Sequence, residues 1–249
     1  MATASGNIVY VAESLGHAID AYEVIGGTAK LVRRLTFGSG INDPQPEYLA
    51  TDAEGYLYAS MDNVWIDVFK PGESGRVRKQ HSLLEAGKGG ALQIGTDGYR
   101  DVYQPNGDHL YVHLSHDDKL PRRNARTVLT DGEPGAWLTR AEGNEVFIGP
   151  AGLAESWYSM NVIPTHTWGH VKPVRSLVLM DGCWGHIQDA GLSVTLANGY
   201  LYETCGYIDR SHKYVRGIWT YRADGSGAVK PLGFAGTNAW QPGDIAVGP

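Results

Sequence analysis

The 249-residue chain has only two cysteines, four phenylalanines and no long apolar run. Two thiols, Cys183 and Cys205, specify no disulfide framework, and whether they pair is left open. No stretch approaches the roughly 18 consecutive apolar residues that cross a membrane as a helix. The first residues, MATASGNIVYVAES, lack the basic and apolar segments of a signal peptide. We therefore expect a protein with no membrane partner, and cytoplasmic by default.

Several functional signatures are absent as well. The sequence contains no CxxC, P-loop, GxGxxG or HExxH motif, so no nucleotide or flavin cofactor is indicated. The net charge is −6, and the one basic cluster, KLPRRNAR at 119–126, follows Asp117 and Asp118. This pattern excludes the basic surface of a nucleic-acid-binding protein. A small-molecule or sugar-like ligand is the expected partner, and nothing in the sequence indicates the oligomeric state.

Glycine and tyrosine are abundant, at 33 and 14 residues, which favours many turns and short strands. The segments around five glycines share one pattern: Ser, Glu or Asn, then Gly, then an aliphatic residue followed by Tyr or Phe. These glycines are Gly6, Gly55, Gly107, Gly143 and Gly199. Their spacing averages about 50 residues, so a unit repeated five times accounts for the whole chain. Each glycine is predicted to supply a positive φ in the turn between the first two strands of its unit.

Further alternating segments follow each turn, so each unit holds about four antiparallel strands. Four-stranded units around a channel predict an all-β, five-bladed β-propeller. The segment before Gly6 is short, whereas the chain ends in QPGDIAVGP at 241–249. We therefore expect the C-terminal strand to close the ring by pairing into the N-terminal blade, which protects open sheet edges. The predicted single domain, 1–249, divides into blades at 241–249 plus 1–42, 43–90, 91–131, 132–184 and 185–240.

Two segments resemble a known superfamily. PEYLATDAEGYLYASMDNVWIDVFKPGESG at 46–75, and QPGDIAVGP joined to SGNIVYVAESLGHAIDAYEV at 5–24, are similar to repeats of the NHL and gluconolactonase-like propellers. In gluconolactonase-like enzymes, Glu, Asn and Asp near the start of the innermost strands hold a metal in the channel. The resemblance places Glu47 at such a position. The matching positions in the other blades hold Tyr99, Gly135, Gly191 and Gly243.

Polar side chains precede the innermost strand of each blade, two residues before the position of Glu47. They are Gln45, Asp97, Glu133, Gln188 (or Asp189) and Gln241. Such groups commonly join neighbouring strands by accepting backbone N–H groups. The functional alternative is a polar ring at the mouth of the channel.

Two residues before these polar positions, the residue type differs among the blades. The residues there are Asp43, Gly95, Asp131, His186 and Ala239. Carboxylate and imidazole groups suit acid–base chemistry or a divalent metal. We predict His186, Asp131, Asp43 and Glu133 as catalytic residues, and His186, Asp43 and Asp131 as ligands if a divalent metal ion is the cofactor.

The loops that leave the second strands are expected to share this mouth. They carry Glu13, His17, Asp62, His116, Asp117, Asp209 and His212, and VHLSH places His113 near His116. Tryptophan adjoins histidine in TWGH at 167–170 and CWGH at 183–186, an arrangement suited to a ring-shaped or sugar-like ligand. The predicted substrate-binding residues are Gln45, Glu47, Gln188, Gln241, Trp184, Trp240, His116 and His212.

Divergence of the mouth residues among repeating blades favours one asymmetric site. The leading hypothesis is a small-molecule enzyme: a hydrolase, a lyase or an isomerase. A lectin is the first alternative, although five equal sites require more similar blades. A protein-binding scaffold is the second. A glycosidase using Asp43, Asp131 and Glu133 ranks below these.

Overall fold

The protein is a five-bladed β-propeller, as the repeat predicts. The computed structural model describes residues 2–13, 16–38, 43–62, 65–77, 81–83, 94–97, 100–106, 109–114, 126–130, 138–149, 158–179, 194–208 and 214–236. Within these ranges, no helix is long and apolar enough to cross a membrane. The segment predicted to close the ring, 241–249, lies outside them. Residues 2–5 already pair with the next strand and begin the first blade.

Each blade has four antiparallel strands from one part of the chain. Blade 1 contains β1 (Ala2–Ser5), β2 (Ile8–Glu13), β3 (Ala18–Ile25) and β4 (Thr28–Thr36). Blade 2 contains β5 (Pro46–Thr51), β6 (Leu57–Met61), β7 (Trp65–Phe69) and β9 (His81–Leu83). Blade 3 contains β10 (Gly95–Thr96), β11 (Val102–Asn106), β12 (His109–His113) and β13 (Arg126–Thr130). Blade 4 contains β14 (Leu138–Glu142), β15 (Glu145–Gly149), β16 (Tyr158–Pro164) and β18 (Arg175–Leu179). Blade 5 contains β19 (Val194–Ala197), β20 (Tyr200–Ile208), β21 (Tyr214–Arg222) and β23 (Gly233–Gly236).

Four of the five predicted turn glycines join the first and second strands of a blade with positive φ. Gly6, Gly55, Gly143 and Gly199 have φ between 59° and 84°. Glycine adopts this conformation without the steric cost of a Cβ, so the prediction is confirmed at these positions. Gly107 lies outside the described residues, and its place in the chain falls between β11 and β12, the second and third strands of blade 3.

The core lies between the blades. Because side chains alternate along a strand, neighbouring residues pack on opposite sides of their blade. In β5, Leu49 joins a buried cluster shared with blade 1, and Ala50 joins one shared with blade 3. Val102 and Tyr103 in β11 divide in the same way between blades 2 and 4. A fourth cluster lies between blades 4 and 5.

In the described ranges, three short strands tie consecutive blades together at the outer rim. We call β8 (Gly75–Arg76), β17 (Gly169–Val171) and β22 (Gly227–Val229) the straps. Each strap lies between the third and fourth strands of its own blade, and pairs in parallel with the last strand of the preceding blade. All three begin at a glycine with positive φ, of 87°, 77° and 67°. In each, the valine two residues later packs on the cluster between the two blades.

Blade 1 is built differently, because its third and fourth strands are joined by the two-residue turn Gly26–Gly27. That turn is too short to contribute a strap to blade 5. The strap sequences SGRV, WGHV and SGAV form a repeat that sequence reasoning missed.

The alternation of strand direction gives the propeller two faces. The turn face carries the turns between first and second strands together with the straps. The mouth face carries the links that lead into each first strand and the turns that leave each second strand. Among the described residues, the mouth face includes Gly16–His17, 43–45 and Asp62.

We predict that Val171→Ala lowers the free energy of unfolding by about 1 kcal/mol, since it removes apolar contacts between blades 3 and 4. Val174→Ala is the matched control, because Val174 is 58% exposed. It should change stability by less than about 0.5 kcal/mol. Urea denaturation of both variants checks this, and equal losses would show that the strap valine does not stabilise the junction.

Candidate functional site

Three predicted site residues, Asp43, Gln45 and Glu47, lie in the link from β4 to β5 or at the start of β5. The other nine lie outside the described residues. They are His186, Asp131, Glu133, Gln188, Gln241, Trp184, Trp240, His116 and His212. No group of three His, Cys, Asp or Glu side chains that could hold a metal occurs in the part of the chain that the structure describes.

The link into β5 is held by backbone hydrogen bonds. The Gln45 N–H donates to Asp62 Oδ1 at 3.0 Å, and the Asp62 N–H donates to the Gln45 carbonyl at 2.9 Å. His17 Nδ1 donates to the Pro44 carbonyl at 3.2 Å, which joins blade 1 to the link. Since the Pro44 carbonyl can only accept, this bond requires the proton on Nδ1. Asp62 and His17 therefore position the backbone of this segment.

The Asp43 carboxylate packs against a glycine on the same link. A Cβ built on Gly38 would lie 2.1 Å from Asp43 Oδ2, and Gly38 has φ of 130°. Only glycine allows the carboxylate to approach so closely. The structure therefore fixes Asp43 at the base of the link.

Glu47 lies on a β-bulge. Pro46 pairs with Met61 and Tyr48 pairs with Ser60, so Glu47 is the extra residue of β5. Bulges bend a strand locally and re-aim a side chain, and they are over-represented beside active sites. Glu47 is half-buried and lies at the mouth end of β5, the innermost strand of blade 2.

The turn face holds a recurring arrangement that sequence reasoning missed. In blade 2, Asp52 Oδ1 accepts the N–H groups of Glu54 and Tyr56, and Asp52 Oδ2 accepts the Tyr58 hydroxyl at 3.0 Å. In blade 3, Asp97 Oδ1 accepts the Asp101 N–H and Asp97 Oδ2 accepts the Tyr103 hydroxyl at 2.7 Å.

The hydrogen bonds of Asp97 correct the alignment of blade 3. Asp97 belongs to the turn between first and second strands, and not to the ring at the mouth where the sequence placed it. Gly95, which the sequence aligned with Asp43, lies within β10, the innermost strand. His113 ends the third strand, is fully buried, and lies 3.1 Å from Gln104 Oε1 through its Nε2. The matched spacing from Asp52 to Tyr58 and from Asp97 to Tyr103 is the signal that finds this alignment.

Polar contacts also join neighbouring blades on the turn face. The Arg100 guanidinium donates to the Glu54 carboxylate and lies 5.7 Å from the centre of the Tyr56 ring. The hydrogen bond from Arg100 lowers the pKa of Glu54. Glu142 repeats this role in blade 4, where its carboxylate accepts the Gly199 N–H of blade 5.

A polar cluster on the turn face joins blades 3 and 4. His166 follows β16, and its Nδ1 lies 2.7 Å from Asp101 Oδ2. Its backbone N–H donates to the Tyr103 hydroxyl at 2.9 Å. Asp101 is fully buried, whereas the His166 side chain is 46% exposed. The cluster therefore presents an imidazole at the surface, backed by a buried carboxylate.

Burial shifts the pKa values of carboxyl and hydroxyl groups in these two turns. Burial raises the pKa of Asp52, and this outweighs the opposing effect of the hydrogen bonds that it accepts. Burial, and then the adjoining carboxylate, raises the pKa of the Tyr58 and Tyr103 hydroxyls well above 10.0. Both tyrosines therefore remain neutral donors in the folded protein.

We expect Tyr103→Phe to destabilise the protein more than Tyr58→Phe, by about 2 against about 1 kcal/mol. Both rings are fully buried, so the variants are matched in packing. Tyr103 loses one bond to Asp97 and also leaves the His166 N–H without its acceptor, whereas Tyr58 loses one bond to Asp52. Chemical denaturation measures the difference, and an equal or reversed order would contradict the role of Tyr103 between blades.

The same tyrosines predict loss of stability in alkali. An unfolded tyrosine ionises near pH 10 whereas the folded protein keeps these two protonated, so their contribution is complete below that pH and falls above it. The near-ultraviolet tyrosinate signal of the native protein should match that of the Tyr58→Phe/Tyr103→Phe variant until the chain unfolds. Two extra tyrosines titrating near pH 10 in the folded protein would contradict this prediction.

Comparisons with known proteins identify the fold. No protein-family model and no curated protein matches the chain. The solved structure of U3-55K aligns with 97% of this chain and 82% of its own at 8% identity, with a TM-score of 0.56. A "putative 6-phosphogluconolactonase" from Bacteroides fragilis aligns at 16% identity over 95% and 70% of the chains, with a TM-score of 0.53. The WD40 domain of Toxoplasma gondii coronin aligns at 12% identity over 95% and 70%, with a TM-score of 0.50. At such identities the chain is similar to these proteins in its β-propeller fold alone.

Proposed function

We propose that the chain is a small-molecule hydrolase with one asymmetric site at the mouth face, and that Glu47 is its acid–base residue. The observation that carries the proposal is the β-bulge at Glu47, which makes this acidic residue the extra residue at the start of an innermost strand. The bonds between Gln45 and Asp62 and the packing of Asp43 on Gly38 hold the segment around it. An acidic residue at the start of an innermost strand, on a segment held by these contacts, suits catalysis on a ligand bound in the channel.

The proposed substrate class is a cyclic ester. Two of the similar structures are described as "putative 6-phosphogluconolactonase", which makes lactone hydrolysis the first reaction to test. The NHL and gluconolactonase-like resemblance supports the same class, and Glu47 is the carboxylate of this chain that matches a channel position in that family.

The reaction needs only water and a base. Glu47 takes a proton from water as the water oxygen bonds to the lactone carbonyl carbon. The carbon–oxygen bond of the ring then breaks, and the proton passes to the leaving ring oxygen, which gives a hydroxy acid. Of the predicted metal ligands His186, Asp43 and Asp131, only Asp43 is described, and its carboxylate packs on Gly38. These steps use water and the Glu47 carboxylate.

We expect the protein to hydrolyse glucono-δ-lactone faster than the spontaneous reaction, and Glu47→Gln to lower kcat by about 100-fold or more, since general-base catalysis contributes this much. Glu73→Gln is the control, because Glu73 lies in an exposed turn of the outer rim. Continuous titration of the acid released measures the rate, and circular dichroism checks the fold. The proposal fails if the native protein does not accelerate hydrolysis, or if Glu47→Gln keeps full activity.

A further inference from the structure

The connection from β16 to the strap β17 carries an exposed polar and aromatic surface on the turn face. Pro164 ends β16 and Gly169 begins β17. Between them, the Thr167 hydroxyl donates to the Pro164 carbonyl at 2.8 Å. The segment packs on the blade 3 turn through both the backbone and the side chain of His166. It is thus attached to two blades within a few residues.

His166 adopts a backbone conformation that non-glycine residues rarely use, with φ of 57°. This conformation costs free energy, so it persists where surrounding contacts fix it. The contacts here are the N–H bond to Tyr103 and the ring contact with Asp101. The imidazole is therefore held in one orientation at the surface.

The contact with Asp101 also determines which imidazole nitrogen donates within the protein. A carboxylate oxygen accepts hydrogen bonds, so His166 Nδ1 donates to Asp101 Oδ2. In the neutral ring, Nε2 is then the acceptor. Because Asp101 is fully buried, a ligand at the surface meets the imidazole rather than the carboxylate.

Trp168 lies beside this imidazole and is 44% exposed. The indole and imidazole centroids are 6.0 Å apart with an interplanar angle of 74°. The imidazole therefore stands nearly perpendicular to the indole. A ring resting flat on the indole would therefore also lie nearly perpendicular to the imidazole.

We propose that Trp168 and His166 form a saccharide-binding site at the junction of blades 3 and 4. The apolar C–H face of a pyranose packs on the indole, and a hydroxyl at the edge of the sugar ring donates to His166 Nε2. The two buried carboxylates behind the site, Asp97 and Asp101, disfavour an anionic ligand such as a phosphate. A cationic ligand would make no direct contact with either carboxylate, because both are buried. A neutral ring with hydroxyl groups at its edge fits both the platform and the acceptor.

This site is separate from the proposed hydrolase site, because it lies on the opposite face of the propeller and uses none of the same residues. Loss of saccharide binding would leave lactone hydrolysis unaffected, and the reverse also holds. The two proposals therefore fail independently.

The test uses a glycan array with the full chain, followed by calorimetric titration with the methyl glycosides of glucose, galactose, mannose and N-acetylglucosamine. We expect binding of at least one of these pyranosides, and at least tenfold weaker binding for both Trp168→Ala and His166→Gln. Leu232→Ala is the control, because Leu232 is 58% exposed and lies in blade 5, between the strap β22 and β23. Its affinity should equal that of the native chain.

Trp168 is exposed, so Trp168→Ala keeps the test valid even if His166→Gln weakens the junction. The proposal is overturned if the native chain binds no glycan on the array and none of the four glycosides. It is also overturned if either Trp168→Ala or a folded His166→Gln binds as tightly as the native chain.

Discussion

A single blade of this protein cannot bury its own apolar side chains, and the fold depends on that constraint. A sheet one layer thick has two faces, and in β5 and β11 consecutive residues supply both of them. Leu49 and Ala50 face different neighbours, as do Val102 and Tyr103. Each blade is therefore stable only between two others, because the apolar area on both faces leaves water only when sheets stack. The ring is a consequence of this mutual burial.

Among the described residues, polar contacts on the turn face add precision to the packed layers. Arg100 reaches Glu54 across one junction, Glu142 reaches the Gly199 N–H across another, and His166 reaches Asp101 across a third. The straps add parallel strand pairing at the rim between blades 1 and 2, between blades 3 and 4, and between blades 4 and 5. Such contacts fix the position of one blade relative to the next. Apolar packing alone restricts this position less narrowly. A ligand site between two blades requires this fixed geometry.

The sequence predicted the fold well because its signals are local. Glycine with positive φ, followed by an aliphatic–aromatic pair, marked four hairpins correctly. It misaligned blade 3, where NGDHLYV matches the same pattern but leads into the third strand instead of the second. A hairpin pattern reports that two strands adjoin and does not report which two strands of a blade they are. The longer match between Asp52–Tyr58 and Asp97–Tyr103 carries that information, since it specifies a hydrogen-bonded turn.

The sequence by itself determined the strand alternation, the turn glycines and the five-fold repeat, since each depends on residues a few positions apart. It also singled out Glu47, although not the bulge that sets this residue apart. Tertiary structure alone decided that His166 meets Asp101, 65 residues away, and that each strap pairs with the preceding blade. Such contacts depend on how sheets stack. Stacking brings together residues that are far apart in the chain, and the sequence around one of them does not indicate the other.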